Sequence, residues 1–160
     1  MDMTIISSSK TDISVHQADL TDLDTAARLF DGYRQFYGQP SDIDAAATFL
    51  SERLRHHESV IFLARVSGQA IGFAQLYPAF SSVSMARTFI LNDLYVCPEA
   101  RGQGAARRLL QTVEAFAASV GAIRVTLSTA TSNEQAQALY ESAGWKRDEQ
   151  FHVYHRAIHG

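Results

Sequence analysis

Cysteine is almost missing from this chain. Among 160 residues there is one, Cys97, so an internal disulfide framework and a multi-cysteine zinc site are both excluded. A lone thiol fits a reducing compartment. Long apolar runs are missing too: none approaches the ~20 residues that span a bilayer. The N-terminus, MDMTIISSSK, offers only Ile5 and Ile6 as an apolar stretch, too little for a signal peptide. A cytoplasmic protein of bacterial type, working away from membranes, is the expectation. An excess of one charge is also absent. Fourteen Lys and Arg stand against seventeen Asp and Glu, a net charge of −3, which gives no field for nucleic acid or anionic lipid. The six histidines show no ligand spacing of the His-Glu-x-x-His kind, so no metal is expected.

What is present is an ordinary globule, 46% apolar and 19% charged, long enough to build a core without disulfides or metal. One domain over residues 1–160 is the natural count. Residues 1–10, ending in Ser7-Ser8-Ser9-Lys10, read as a flexible leader.

The hydrophobic period marks the elements. A strand is expected at Ile13–Gln17. Thr21 with Asp24 opens a helix in a capping-box-like arrangement, carrying Leu23, Ala26, Phe30, Tyr33 and Tyr37. Ser41 with Asp44 opens a second, with Ile43, Ala46, Ala47, Leu50 and Leu54 as its buried stripe. The period then shortens. Val60–Val66, the turn pair Gly68-Gln69 and Ala70–Tyr77 read as a β-hairpin, and Arg87–Val96 as a further strand. An amphipathic helix follows, with Leu109, Val113, Phe116 and Val120 on one face and Gly121 as its stop. Val125–Ser128 is a β run. Ser132 with Gln135 caps a last helix, which ends at Gly144, and Phe151–Ile158 alternates as a closing strand. The order β-α-α-β-β-β-α-β-α-β predicts an α/β fold: a mixed, mostly antiparallel sheet with helices on both faces. The unit from Leu91 to Leu127 is expected to be a right-handed crossover.

The segment richest in chemistry runs from Asn92 to Ala106. A strand enters a loop of small residues, Arg101-Gly102-Gln103-Gly104-Ala105-Ala106, which opens a helix. Small side chains leave main-chain amides uncovered where the helix dipole adds positive charge, and Arg101, Arg107 and Arg108 stand nearby. Such a combination suits a phosphate or pyrophosphate. A Walker loop is absent, and a dinucleotide-binding Gly-x-Gly-x-x-Gly fails at its third position, held by Arg107.

The Arg101–Ala106 hexapeptide resembles, at every fixed position, the Gln/Arg-x-x-Gly-x-Gly/Ala loop of the GNAT superfamily of N-acetyltransferases. Asn133, Ala136, Leu139, Tyr140, Gly144 and Trp145 resemble its second motif, Asn-x-x-Ala-x-x-Leu-Tyr-x-x-x-Gly-Phe/Trp. Within the superfamily, Tyr33–Tyr37 and Leu91–Val96 look most like the subgroup of fungal histone and D-amino-acid acetyltransferases, and the polyamine enzymes are a looser match. The resemblance implies a single GNAT-type domain using acetyl-CoA as co-substrate. The main chain of Leu94, Tyr95 and Val96 would pair with the pantetheine arm. Residues Arg101, Gly102, Gln103, Gly104, Ala105, Ala106 and Arg107 would take the diphosphate. Asn133 would hold the cofactor arm or the neighbouring strand, besides capping its helix.

In acetyl transfer a neutral amine attacks the thioester, an oxyanion forms, and the thiolate leaves best when protonated. By resemblance Tyr140 is the acid for that thiolate; core packing with Ala136, Leu139 and Ala143 is its other reading. Asn92 stands where the polyamine branch has Glu, and Asn takes no proton at neutral pH. Asn92 is therefore expected to orient substrate or water, and Asp93 or a water chain to receive the proton. Strand alternation turns Asp93 to the face opposite Asn92 unless a bulge re-aims it, and a structural hydrogen bond is its alternative role. Tyr33, Phe36, Tyr37, Tyr77, Phe80, Ser81 and Ser82 are candidates for the acceptor pocket, where aromatic faces attract cations; Tyr33 and Tyr37 also fit a plain helix stripe. Cys97 is expected to pack. The acceptor is a small amine or a protein amino group, and a homodimer is common for this fold. A degenerate acyl-CoA-binding sensor without turnover, or a nucleotide-binding domain, are the competing functions.

Overall fold

The computed structural model of the protein describes residues 12–159; the leader lies outside the described residues. Two compact units are distinguished, one ending at Ser128 and one beginning at Thr129.

The first unit contains strand β1 (Ile13–Gln17), helices α1 (Leu23–Phe36) and α2 (Ile43–Arg55), strands β2 (Val60–Val66), β3 (Gln69–Ser81) and β4 (Ala86–Val96), helix α3 (Ala105–Ser119) and strand β5 (Val125–Thr126). The five strands form one sheet in the order β1-β2-β3-β4-β5. Neighbours are antiparallel from β1 to β4, and β5 runs parallel to β4. A parallel neighbour needs a crossover, which α3 supplies. The β2–β3 turn places Ser67 at φ 49° and Gly68 at φ 78°, the left-handed pair whose twist suits a two-residue hairpin.

The helices divide between the two faces of this sheet. Ala26, Ala27, Leu29 and Phe30 of α1 and Ala46 and Leu50 of α2 are buried with Ile61, Leu63 and Phe73. On the other face the Phe116 ring of α3 meets Phe62 at 5.4 Å and Phe89 at 5.6 Å, beside buried Leu109, Leu110 and Val113. Each fully buried side chain of this size contributes about 1.5–3 kcal/mol.

Several expected boundaries shift for local reasons. The capping box forms two residues upstream of Thr21: Asp19 accepts from the Thr21 amide at 2.8 Å and Asp22 accepts from the Asp19 amide at 3.1 Å. They close a short 3₁₀ turn, Leu20–Asp22, ahead of α1. Asp42 rather than Ser41 caps α2, accepting from the Ala45 amide at 3.0 Å, because the Ser41 hydroxyl is drawn to Asp31 at 2.7 Å. Ile43 and Val120 are exposed, since they sit at the helix ends, beyond the packed stripe. Tyr37 is exposed as the residue that ends α1. Strand β5 is two residues long instead of four.

In the second unit, α4 (Glu134–Ser142) is capped by Asn133, not Ser132: the Asn133 side chain accepts from the Ala136 amide at 3.1 Å. Gly144, at φ 93°, ends it, and the Trp145 amide donates to the Tyr140 carbonyl at 3.0 Å. The closing strand is a correction. Residues 151–158 form no strand, and Phe151, Val153, Tyr154 and Ile158 are exposed. Alternation says which side chains want cover, but only a neighbouring ladder makes a strand, and among the described residues none pairs with this segment.

One buried carboxylate ties α1 to the start of α2. Asp31 accepts from Gln35 Nε2 at 2.9 Å, Ser41 Oγ at 2.7 Å and the Asp42 amide at 2.7 Å. These donors, the Asp42 amide foremost, hold its carboxyl below the ordinary range. A group so depressed contributes stability above the unfolded pKa of ~3.9 and loses it as pH falls through the lower folded value. Asp31→Asn is expected to lower stability by about 2 kcal/mol at neutral pH. In denaturant titrations at successive pH values, the gap to wild type should close on the acid side.

Candidate active site

The ladder between β3 and β4 carries one irregularity. Pairing runs from Gly72↔Val96 to Gln75↔Asp93, and the next pair is Leu76↔Leu91. Asn92 is therefore an extra residue on β4, a β-bulge. Residues paired across an antiparallel ladder share a face. Phe73, Gln75 and Tyr77 thus share a face with Tyr95, Asp93 and Ile90, the face where Tyr33 of α1 packs on Phe73 and Tyr95. Leu76 and Leu91 look the other way, toward α3. Plain alternation separates Asn92 from Asp93; the bulge brings them together, and Asn92 Nδ2 donates to Asp93 Oδ1 at 3.0 Å.

Asp93 is 4% exposed. Gln75 Nε2 donates to its Oδ2 at 2.7 Å, and the Tyr33 phenol lies within reach of its charge. Burial, then the Asp93 charge, push the Tyr33 phenol far up. Tyr77 is pushed up to about 12, by burial first and Asp93 second, against a smaller opposite pull from Arg53. Two protonated phenols thus face a deep carboxylate. Tyr37 extends the aromatic wall, 5.0 Å from Tyr33 and 5.3 Å from Phe36 between ring centroids.

The other half of the site begins where β4 and β5 part. Their pairing is confined to Phe89↔Val125 and Ile90↔Thr126, so among the described residues the main chain of β4 from Leu91 to Val96 has no strand partner on that side. Immediately beyond lies the glycine loop. Gly102 and Gly104 adopt φ of 78° and 87°, conformations that favour glycine. A Cβ at either would meet nothing within 4 Å, so the need is for backbone shape in open space. Gly104 is the N-cap of α3, no side chain caps that end, and no acidic residue lies in the first turn. Arg101 Nε donates to the Val96 carbonyl at 3.0 Å. Its guanidinium lies 5.2 Å from the Phe36 ring centroid and 5.9 Å from that of Tyr95.

A strand with an open edge, running into a glycine loop and an uncapped helix, agrees with the sequence comparison. Residues 26–145 match the acetyltransferase (GNAT) family. The chain belongs to the GNAT family. Its α/β sheet and helices are that family's fold: the crystal structure of a probable acetyltransferase superposes with a TM-score of 0.87 at 45% identity, covering 92% of this chain and 99% of that one. The uncharacterized N-acetyltransferase YhfO of Bacillus subtilis is 48% identical over 142 residues, 89% of this chain and 95% of its own. A D-amino-acid N-acetyltransferase of Saccharomyces cerevisiae is 35% identical, but over only 51% of each chain. Likeness to the bacterial GNAT protein is therefore broader than likeness to the fungal subgroup.

Of the residues singled out from the sequence, Asn92, Asp93, Tyr33, Tyr37 and Tyr77 gather at the bulge. Phe80 does not join them. It pairs with Arg87, whose guanidinium lies over both Phe80 and Phe89, so alternation sets it on the face opposite Tyr77. Leu94, Tyr95 and Val96 form the end of β4 and lead to residues 101–107. In the second unit Asn133 caps α4 and Tyr140 lies within it, its ring tilted 6.2 Å from that of Trp145. Cys97 is half-buried, and burial pushes its thiol up, as packing rather than nucleophilic chemistry requires. Gln75 was missed. The available signal was one amide inside the otherwise apolar Ile71–Leu76 run.

The raised phenols have a measurable consequence. An unfolded Tyr ionises near ~10, so the unfolded chain releases protons that the native one retains, and stability falls as pH rises from there toward about 12. Tyr77→Phe should reduce that alkaline loss in denaturant titrations between those limits, and remove one late-ionising phenol from the ultraviolet titration.

Proposed function

We propose that the protein is an acetyl-CoA-dependent N-acetyltransferase acting on a primary amine by direct attack. The observation that carries it is the open edge of β4 leading into the glycine loop before α3. An extended amide-rich arm can pair with an unpartnered strand edge, and an uncapped helix start with left-handed glycines suits a diphosphate. Main-chain groups of Leu94, Tyr95 and Val96 would take the arm. The amides of residues 102–106, with Arg101 and Arg107, would take the phosphates. The thioester supplies the acetyl group.

The chain's own residues then have these roles. The amine nitrogen attacks the carbonyl carbon, and the carbon–sulfur bond breaks as the oxyanion collapses. The amine's proton passes to Asp93 through a water oriented by Asn92, and the Tyr140 hydroxyl gives its proton to the departing thiolate. Tyr33, Tyr37, Tyr77 and Phe36 form the wall where an ammonium group waits before losing its proton. The family match, running across both compact units, supports one N-acetyltransferase domain. The likeness to a D-amino-acid enzyme makes D-amino acids, beside polyamines and lysine peptides, sensible first acceptors.

Calorimetry with coenzyme A tests the cofactor half. Gly104→Val must hold a β-branched residue at φ 87°, and affinity is expected to drop about tenfold or more as the loop shifts. No uptake by wild type would overturn the assignment. Thiol release from acetyl-CoA over the amine panel tests the chemistry. Asp93→Asn is expected to lower kcat by about 10²–10⁴ and to remove the pH-dependent limb that a base gives. Tyr140→Phe should lower kcat with little effect on coenzyme A affinity. Full activity and an unchanged pH profile in Asp93→Asn would show that Asp93 is not the base.

A further inference from the structure

Gln75 is wholly buried in the middle of β3. Its Nε2 donates to Asp93 Oδ2 at 2.7 Å, while its Oε1 is buried with no hydrogen-bond partner. An amide left half-satisfied in a dry interior is destabilising, and an apolar side chain of similar size would avoid that cost. Turning the amide over gives no relief, because Oε1 would then face a carboxylate oxygen with no hydrogen between them. The orientation, and the orphaned oxygen with it, follow from Asp93.

We propose that Gln75 is the positioning residue for the proton acceptor of the transfer reaction, an inference that rests on the reading of Asp93 as that acceptor. A carboxylate offers about four acceptor positions. Gln75 and Asn92 fill two of them, leaving room for the incoming proton beside the Tyr33 phenol. These two donors and Tyr33 are not equivalent. Asn92 is exposed on the bulge and Tyr33 half-buried on the acceptor wall, so both can turn toward a substrate. Gln75 is paired with Asp93 in the ladder itself and is as fixed as the sheet. It holds the carboxylate in place while the other two exchange partners. Tyr33 and Tyr37 of α1, Arg53 of α2 and Tyr77 of β3 are the titratable or charged groups facing this cluster.

The experiment compares wild type, Gln75→Met, Gln75→Glu and Asp93→Asn. Readouts are thiol release from acetyl-CoA with spermidine, D-phenylalanine and a lysine peptide across pH, coenzyme A binding by calorimetry, and melting temperature. Gln75→Met is expected to bind coenzyme A as wild type does, with kcat about tenfold to a hundredfold lower and the KM for acetyl-CoA unchanged. In Gln75→Glu the new carboxyl can donate to Asp93 only while protonated. The ratio of its kcat to that of wild type should therefore fall as pH rises, whereas the ratio for Gln75→Met stays flat. Wild-type kcat in Gln75→Met, equal flat losses in both variants, or failure of both to bind coenzyme A would each overturn the proposal, the last two assigning Gln75 to structure alone. An Asp93→Asn enzyme that keeps its activity, or a wild type that releases no thiol with any acceptor, would remove the reading beneath it. An inactive Asp93→Asn beside an unimpaired Gln75→Met would sink the role of Gln75 only.

Discussion

A β-strand presents its side chains with a period of two, so one bulged residue changes which of the alternate positions beyond it take each face. In β4 that residue is Asn92. Before it, Phe89 and Leu91 are buried on the α3 side; after it, Asp93 and Tyr95 face α1. Were Asn92 paired as an ordinary ladder residue, Asp93 would share the Leu91 face and meet the apolar layer under α3. The bulge thus lets one strand serve two apolar layers and still aim a charged group at the aromatic wall. It also explains why Gln75 and Asp93, eighteen residues apart, form a pair at the same level of the sheet.

The aromatic layer between α1 and the sheet links this cluster to the glycine loop. Tyr33 packs between Phe73 and Tyr95 at 5.8 and 6.1 Å, and a Cβ on Gly32 would stand 3.1 Å from the Tyr95 hydroxyl. Helix α1 can lie this close to β4 because that position is glycine. Gly72 does the same within the sheet, where a Cβ would come within 2.6 Å of the Tyr95 carbonyl oxygen. Arg101 then joins the loop to the end of α1 through Phe36 and to the end of β4 through the Val96 carbonyl. The acceptor wall and the loop are therefore neighbours through two rings and one guanidinium, although α1 and the loop are some distance apart in sequence.

Much of this architecture is legible in the sequence. The Ile13–Gln17 and Val60–Val66 strands fall where the apolar runs set them, because burial of one face imposes a period that sequence displays directly. The glycine loop was legible because positive φ is a demand few other residues meet. The misreadings cluster where two local signals competed. Thr21 and Ser41 are good caps in isolation, yet Asp19 and Asp42 took those roles. Ser41 was unavailable because its hydroxyl serves Asp31, a residue ten positions away.

By itself, the order of apolar and small residues determined the alternation of strands and helices up to α4 and the loop that opens α3, since each depends on neighbours within a few positions, while the family showed in the likeness of two motifs. The bulge, the burial of Asp93 and the partnership with Gln75 were decided only by tertiary structure. A register shift is a property of two strands, not of one. The face a side chain takes, and the donors it meets there, follow from which residue of the partner strand stands opposite.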